Sequence, residues 1–258
     1  MLAYQSYGLT ISSDIPLPEL SAVDSDRADI IVCEGLVPAD GSTLGKQWGP
    51  YLFASPGRLW LEVPGVVRLQ IEQGKQLTYQ PLENADPDSV RLFMLGSGFG
   101  ALLFQRGFLV LHGNAIKIGD GCVICVGQSG AGKSTLAAAF VQRGFPLLAD
   151  DVCAVDAHAH ALPSFPRIKL WADSARHLAI ATDTLNRIRP ELEKFNLPLG
   201  DHYCAERLPV RAVYVLQKHN EPTIEISAIE GMARFQMLRH NSYRHRFMQG
   251  LSLQPEHL

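Results

Sequence analysis

Gly127-Gln128-Ser129-Gly130-Ala131-Gly132-Lys133-Ser134 is the stretch on which the reading of the chain turns. It fits the pattern G-x-x-x-x-G-K-[ST] at every defined position. Its flanks fit too. Cys122-Val123-Ile124-Cys125-Val126 reads as a strand, and the alanine-rich run from Lys133 reads as a helix to Arg143, stopped by Gly144. A strand, loop and helix in this order wrap phosphate oxygens with inward-pointing N–H groups. Glycine supplies the backbone freedom, and the helix N-terminus adds positive dipole. The residues expected to hold a nucleoside triphosphate are Gly127, Gln128, Ser129, Gly130, Ala131, Gly132, Lys133, Ser134 and Thr135. Lys133 is expected on the β- and γ-phosphates and the Ser134 hydroxyl on Mg²⁺, while Thr135 packs, caps or assists. ATP with Mg²⁺ is the expected pair.

Downstream, Leu147-Leu148-Ala149 is an apolar strand ending in Asp150-Asp151. A strand end beside the P-loop strand faces the phosphates. One carboxylate there can hold the metal, and its neighbour can accept a proton from an attacking hydroxyl. A solvated strand end or helix cap is the plain alternative. Upstream, Leu111-His112-Gly113 places a histidine at a strand end.

These segments together resemble the catalytic core of the bacterial HPr kinase/phosphorylase family. There a P-loop is followed by a helix ending in Arg-Gly and an Ala-Asp-Asp strand, and preceded by a His-Gly pair. Here the counterparts are Arg143-Gly144, Ala149-Asp150-Asp151 and His112-Gly113. The resemblance implies a P-loop kinase core of the PEP carboxykinase-like type. It implies catalytic roles for Lys133, Asp150, Asp151 and His112, and metal contacts from Ser134 and Asp150. It leaves open which aspartate is the base. It covers roughly residues 108–156. Beyond them the family's Leu-Glu-Ile-Arg-Gly segment is replaced by Pro163-Ser164-Phe165-Pro166-Arg167-Ile168-Lys169-Leu170-Trp171. With Tyr7-Gly8-Leu9 and Ser13-Asp14-Ile15-Pro16-Leu17-Pro18-Glu19-Leu20, the chain looks more like shorter HPr-kinase-like proteins. Some of these resemble kinases that phosphorylate a serine of a lasso-type precursor peptide.

The expected fold class is α/β with a β-rich N-terminal part, divided as 1–85 and 86–258. Ala3–Ile11, Asp29–Cys33, Leu59–Val63, Val66–Ile71 and Leu77–Tyr79 read as strands of a meandering antiparallel sheet, with a type II turn at Pro64-Gly65. Pro87 opens a helix of about twenty residues capped by Gly107, with Gly96 and Gly100 on one packing face. Phe108–Ile118, Pro146–Ala149, Ile168–Trp171, Val210–Gln217 and Thr223–Ala228 read as strands, and Ala172–Ile180, Thr184–Phe195 and Glu230–Arg239 as helices.

Composition bounds the function. Hydrophobic residues make up 47% and charged ones 19%, enough apolar material for a sizeable core. No apolar run has the roughly 18–20 residues of a membrane span, and Met1–Leu9 lacks the pattern of a signal peptide. Five cysteines without framework spacing point to a reduced, cytoplasmic protein, and Cys122 and Cys125 read as small buried hydrophobes. Residues 1–90 carry 5 Lys/Arg against 12 Asp/Glu, which argues against nucleic acid there. The basic run Arg234, Arg239, Arg244 and Arg246 reads either as a solvated helix or as a grip on an acidic peptide or the nucleotide. Arg167 and Lys169 read as exposed edge charges or as groups that reach transferring or acceptor phosphate, bordering an open groove that leads to Asp150 and Asp151.

The expected activity is transfer of phosphate to a serine of a protein or peptide by a chain that forms a homo-oligomer or acts alone. A nucleotide-binding regulatory or assembly module with weak hydrolysis, and a small-molecule kinase, are the alternatives.

Overall fold

The computed structural model describes residues 1–253. In the N-terminal part, alternation of buried apolar and exposed residues produces a nine-stranded sheet. Its strands are β1 (Leu2–Ser6), β2 (Leu9–Ser13), β3 (Ser21–Ala22), β4 (Ile30–Glu34), β5 (Lys46–Gly49), β6 (Leu52–Ser55), β7 (Arg58–Val63), β8 (Val67–Glu72) and β9 (Gln76–Pro81). They lie in the order β3-β1-β2-β4-β9-β8-β7-β6-β5. The sheet is mixed rather than the antiparallel meander expected, because β4 pairs parallel with both β2 and β9. The single strand expected over Ala3–Ile11 is a hairpin. Tyr7 and Gly8 form its two-residue loop with φ of 54° and 69°, the left-handed pair that matches strand twist. The Pro64-Gly65 turn is present, with Gly65 at φ 73° and Val66 N–H bonded to the Val63 carbonyl.

One helical rod covers this sheet. Asp86 caps its start by accepting from Ser89 N–H at 2.8 Å, and Pro87 fits the first turn, where no N–H is needed. The rod runs as α1 (Pro87–Phe93), a π-helical turn (Met94–Gly98) and α2 (Phe99–Gln105), with Gly107 at φ 80° beyond its end. Gly96 and Gly100 face Tyr243. A Cβ at Gly100 would lie 2.7 Å from the Tyr243 ring.

Next come β10 (Leu109–Leu111), β11 (Gly113–Ile118), β12 (Gly121–Gly127), α3 (Lys133–Gln142), β13 (Leu147–Ala149), β14 (Cys153–Val155) and β15 (His160–Ala161). A hairpin of β16 (Arg167–Trp171) and β17 (Lys194–Pro198) flanks α4 (Ala172–His177), followed by β18 (Leu208–Leu216), α5 (Met232–His240) and α6 (His245–Gly250). The second sheet has the order β10-β14-β15-β18-β12-β11-β13, with only β12 and β18 parallel. The run expected as one strand over Phe108–Ile118 breaks at His112.

Two further expectations fail. Thr184–Phe195 is not helical, since Pro190 has no N–H to donate and disfavours a helical residue before it, and the segment ends in β17. Thr223–Ala228 is not a strand. Its Ile224 and Ile226 are exposed, and no neighbouring strand pairs with it.

The largest apolar cluster joins the first sheet to the rod and continues into Val110, Val152, Phe165, Tyr243 and Phe247, across the boundary expected near residue 85. The first hairpin also bonds into the second half. Tyr7 N–H donates to the Pro163 carbonyl at 2.7 Å, Ser6 Oγ to Ser164 O at 3.1 Å, and the Tyr7 hydroxyl to Val152 O at 3.2 Å.

Candidate active site

Strand direction assembles the site. β12 and β13 each run antiparallel to β11, so they point the same way and end at the edge where β11 begins. The register pairs Gly113 with Val126 and Ala115 with Ala149. His112, the Gly127–Gly132 loop and Asp150-Asp151 therefore emerge together. The expectation had β13 directly beside β12. It is one strand removed, with β11 between, and the edge is the same.

The loop takes the conformations that its glycines permit. Gly130 and Gly132 have φ of 81° and 96°, where an L side chain would be strained. No side chain caps α3 at Gly132, so the first N–H groups of the helix are left for the loop's interior. Behind the loop, Ala137, Ala138 and Val141 bury one face of α3. Lys133 is itself buried, and its Nζ donates to the carbonyls of Gly127 (2.8 Å) and Gln128 (3.1 Å). Burial lowers its pKa, opposed by the charges of Asp151 and Asp150. The Ser134 hydroxyl points to Asp150, 3.4 Å from Oδ1. Thr135 Oγ1 lies 2.7 Å from Ser174 Oγ, a packing contact between α3 and α4.

The two aspartates sit in opposite electrostatic surroundings. Asp150 is 5% exposed, and its Oδ2 accepts from Lys169 N–H at 2.7 Å while Asn114 Nδ2 donates to Oδ1. Burial, with the charge of Asp151 beside it, pushes its pKa up to about 6. At Asp151 burial acts in the same upward direction, but Lys169 and then His112 overcome it and hold the carboxyl well below the usual carboxylate range. Lys169 Nζ lies 2.8 Å from Asp151 Oδ2, and His112 Nε2 lies 3.6 Å from Oδ1. Burial lowers the His112 pKa, and the charge of Asp151 pulls the other way. Asp151 also has φ 73°, a left-handed backbone outside glycine of the kind that accumulates at functional sites.

Arg167 and Lys169 are not exposed edge charges or groove walls. Both are buried on β16, where they alternate with the buried Ile168 and Leu170. Arg167 Nη1 donates to Asn196 Oδ1 at 3.0 Å and stands 3.9 Å from Glu19 Oε1. The arginines of the basic run, by contrast, are exposed. Arg234 and Arg239 lie exposed on α5, and Arg244 and Arg246 at the start of α6. Cys122 and Cys125 are buried as expected.

Asn114 and the buried role of Lys169 were missed by sequence reasoning. A signal existed for Asn114: it is a polar residue set in the otherwise apolar run Gly113–Ile116. Lys169 offered none, because alternation with Ile168 and Leu170 reads as an ordinary half-solvated strand.

A glycine loop, a lysine, a serine and a carboxylate pair thus cluster at one sheet edge of an α/β protein. Residues 108–166 match the family model of the HPr Serine kinase C-terminal domain. The match contains His112, Lys133, Ser134, Asp150 and Asp151, and stops just short of Arg167. No curated protein matches the chain.

Proposed function

We propose that the protein is an ATP- and Mg²⁺-dependent kinase that phosphorylates a serine hydroxyl of a protein or peptide. The convergence of Lys133, Ser134, Asp150 and Asp151 at one sheet edge carries this reading. The residues present fit both ligands. Left-handed Gly130 and Gly132 and the uncapped start of α3 suit a P-loop that receives phosphate oxygens. Ser134 Oγ and Asp150 Oδ1, 3.4 Å apart, are hard oxygen donors of the kind and number with which proteins hold Mg²⁺ beside phosphates. When bound, the nucleotide supplies the transferable γ-phosphate and Mg²⁺ neutralises its charge.

The chain's own groups do the rest. Lys133 exchanges its loop-carbonyl bonds for phosphate oxygens. Ser134 and Asp150 would hold Mg²⁺, whose charge would keep Asp150 ionised against its burial. Asp151 is the more accessible carboxylate, its side chain about a quarter exposed, and it accepts the proton of the incoming hydroxyl. Lys169 and His112 keep it ionised and oriented. Five free thiols, four of them buried, suit a reducing, cytoplasmic setting.

The test is incubation with γ-labelled ATP, Mg²⁺ and candidate peptides, including those encoded beside the gene. Label on a peptide serine is expected, and loss of label in folded Lys133→Ala and Ser134→Ala variants. ATP turnover with no labelled acceptor would replace this reading with a regulatory or assembly module. Label on a metabolite alone would replace it with a small-molecule kinase.

A further inference from the structure

A cleft of about 420 Å³ opens between the rim of the first sheet and α6, and none of Lys133, Ser134, Asp150 or Asp151 lines it. Its walls are apolar, with Pro50, Tyr51, Pro64, Phe93 and Phe247 among them. Ser97, in the π-helical turn, is 1% exposed, and its Oγ has no hydrogen-bond partner among the described residues. A buried hydroxyl without a partner calls for an explanation, and a ligand group is one. Arg244 and Arg246 line the cleft, are exposed, and stand in no ion pair among the described residues. Glu62, the acidic residue of the lining, is already held by Arg68 at 2.5 Å. Arg244 is set in advance: its backbone is left-handed (φ 45°), and its guanidinium stacks 5.7 Å from the rings of Tyr243 and Phe247.

We propose that this cleft docks an acidic peptide segment carrying one bulky apolar side chain. The apolar side chain enters between Pro50, Phe93 and Phe247. Its flanking carboxylates meet Arg244 and Arg246, and a backbone carbonyl accepts from Ser97 Oγ. Two free cations beside apolar walls suit such a peptide better than a nucleic-acid backbone, which needs an extended run of positive charge. The cleft also adjoins the aspartate site through the chain. His112 N–H bonds to the Asn241 carbonyl at 2.9 Å, and the Tyr243 ring lies 5.9 Å from that of His112, one residue before Arg244. The segment bound here is therefore part of the acceptor, held at a distance from its serine. That last step rests on the peptide-kinase reading.

The experiment is a fluorescence-anisotropy titration of the nucleotide-free chain with three labelled decapeptides, each containing one serine. One has glutamates around a phenylalanine, one replaces the phenylalanine by serine, and one replaces the glutamates by lysine. Only the first is expected to bind well, with affinity falling at least about tenfold in Arg244→Asn/Arg246→Glu and severalfold in Ser97→Ala. Asparagine at position 244 tolerates the left-handed backbone, so the fold is kept. Equal affinity in the double variant, no binding by the first peptide, or equal binding of the lysine peptide would overturn the proposal. In a parallel assay with γ-labelled ATP and Mg²⁺, binding of the first peptide without phosphate transfer to any serine would support the cleft and sink the kinase reading. Transfer with a KM unchanged in the double variant would do the reverse.

Discussion

Lys169 reaches along β16 to Asp151, placing Nζ 2.8 Å from Oδ2, while its own backbone N–H bonds Asp150 Oδ2 at 2.7 Å. One residue thus holds both carboxylates, and it lies outside the stretch matched by the family model. Lys169→Met removes the main charge that depresses the Asp151 pKa. That pKa then rises, and Asp151 is protonated over more of the acid range. The acid limb of the kcat profile should move to higher pH by about one unit or more, with ATP affinity nearly unchanged. A pH–rate series on the variant checks this. An unmoved acid limb would remove Asp151 from proton transfer.

The aspartates should separate in kinetics and in stability. Asp150→Asn and Asp151→Asn should each lower phosphate transfer by roughly 10²-fold or more, the scale of a lost acid–base or metal-holding group. Asp151→Asn should stay folded, because asparagine tolerates φ 73°.

Without metal or nucleotide, the pH dependence of stability has opposite signs at the two positions. The Asp150 pKa is raised to about 6 from an ordinary 3.8, so its contribution is fully present below pH 3.8 and is lost as pH rises through 6. Asp150→Asn escapes that loss, and should gain on the wild type between pH 4 and 6 by on the order of 1–3 kcal/mol. The Asp151 pKa is lowered, so its contribution is present above the ordinary carboxylate range and is lost only as pH falls below it. Urea titrations from pH 4 to 7.5 measure the first, and titrations extended well below pH 4 measure the second.

Gly100→Ala should destabilise the fold by about 1–3 kcal/mol, because the added Cβ meets the buried Tyr243 ring at 2.7 Å in a packed core. Gly96→Ala, whose Cβ would lie 3.3 Å from the Tyr243 hydroxyl, should cost less. Equal denaturation midpoints for the two variants would contradict this packing.

What the sequence made legible was local. The Gly127–Ser134 loop, its strand and its helix are contiguous, and the apolar run ending in Asp150-Asp151 announces a strand end. The Pro87–Gly107 rod was legible through its proline start and glycine stop, though not its π turn. Pairings between distant segments were not. Nothing near Ile30–Glu34 says that it lies parallel to both neighbours. The Tyr7-Gly8 loop lacks the Asn-Gly or Asp-Gly signature of such hairpins. Lys169 failed for a related reason: whether a strand lysine meets water or a carboxylate depends on what the rest of the chain stacks over it.

The first hairpin supplies a last consequence. Ser6 and Tyr7 donate to Ser164 O, Pro163 O and Val152 O, and Ser164 N–H in turn bonds the Leu148 carbonyl, two residues before Asp150. The turn that bears both aspartates is thus buttressed by the opening residues of the chain. The stretch 108–166 is no portable cassette. Grafted onto another scaffold, it would arrive without the donors that brace its carboxylates.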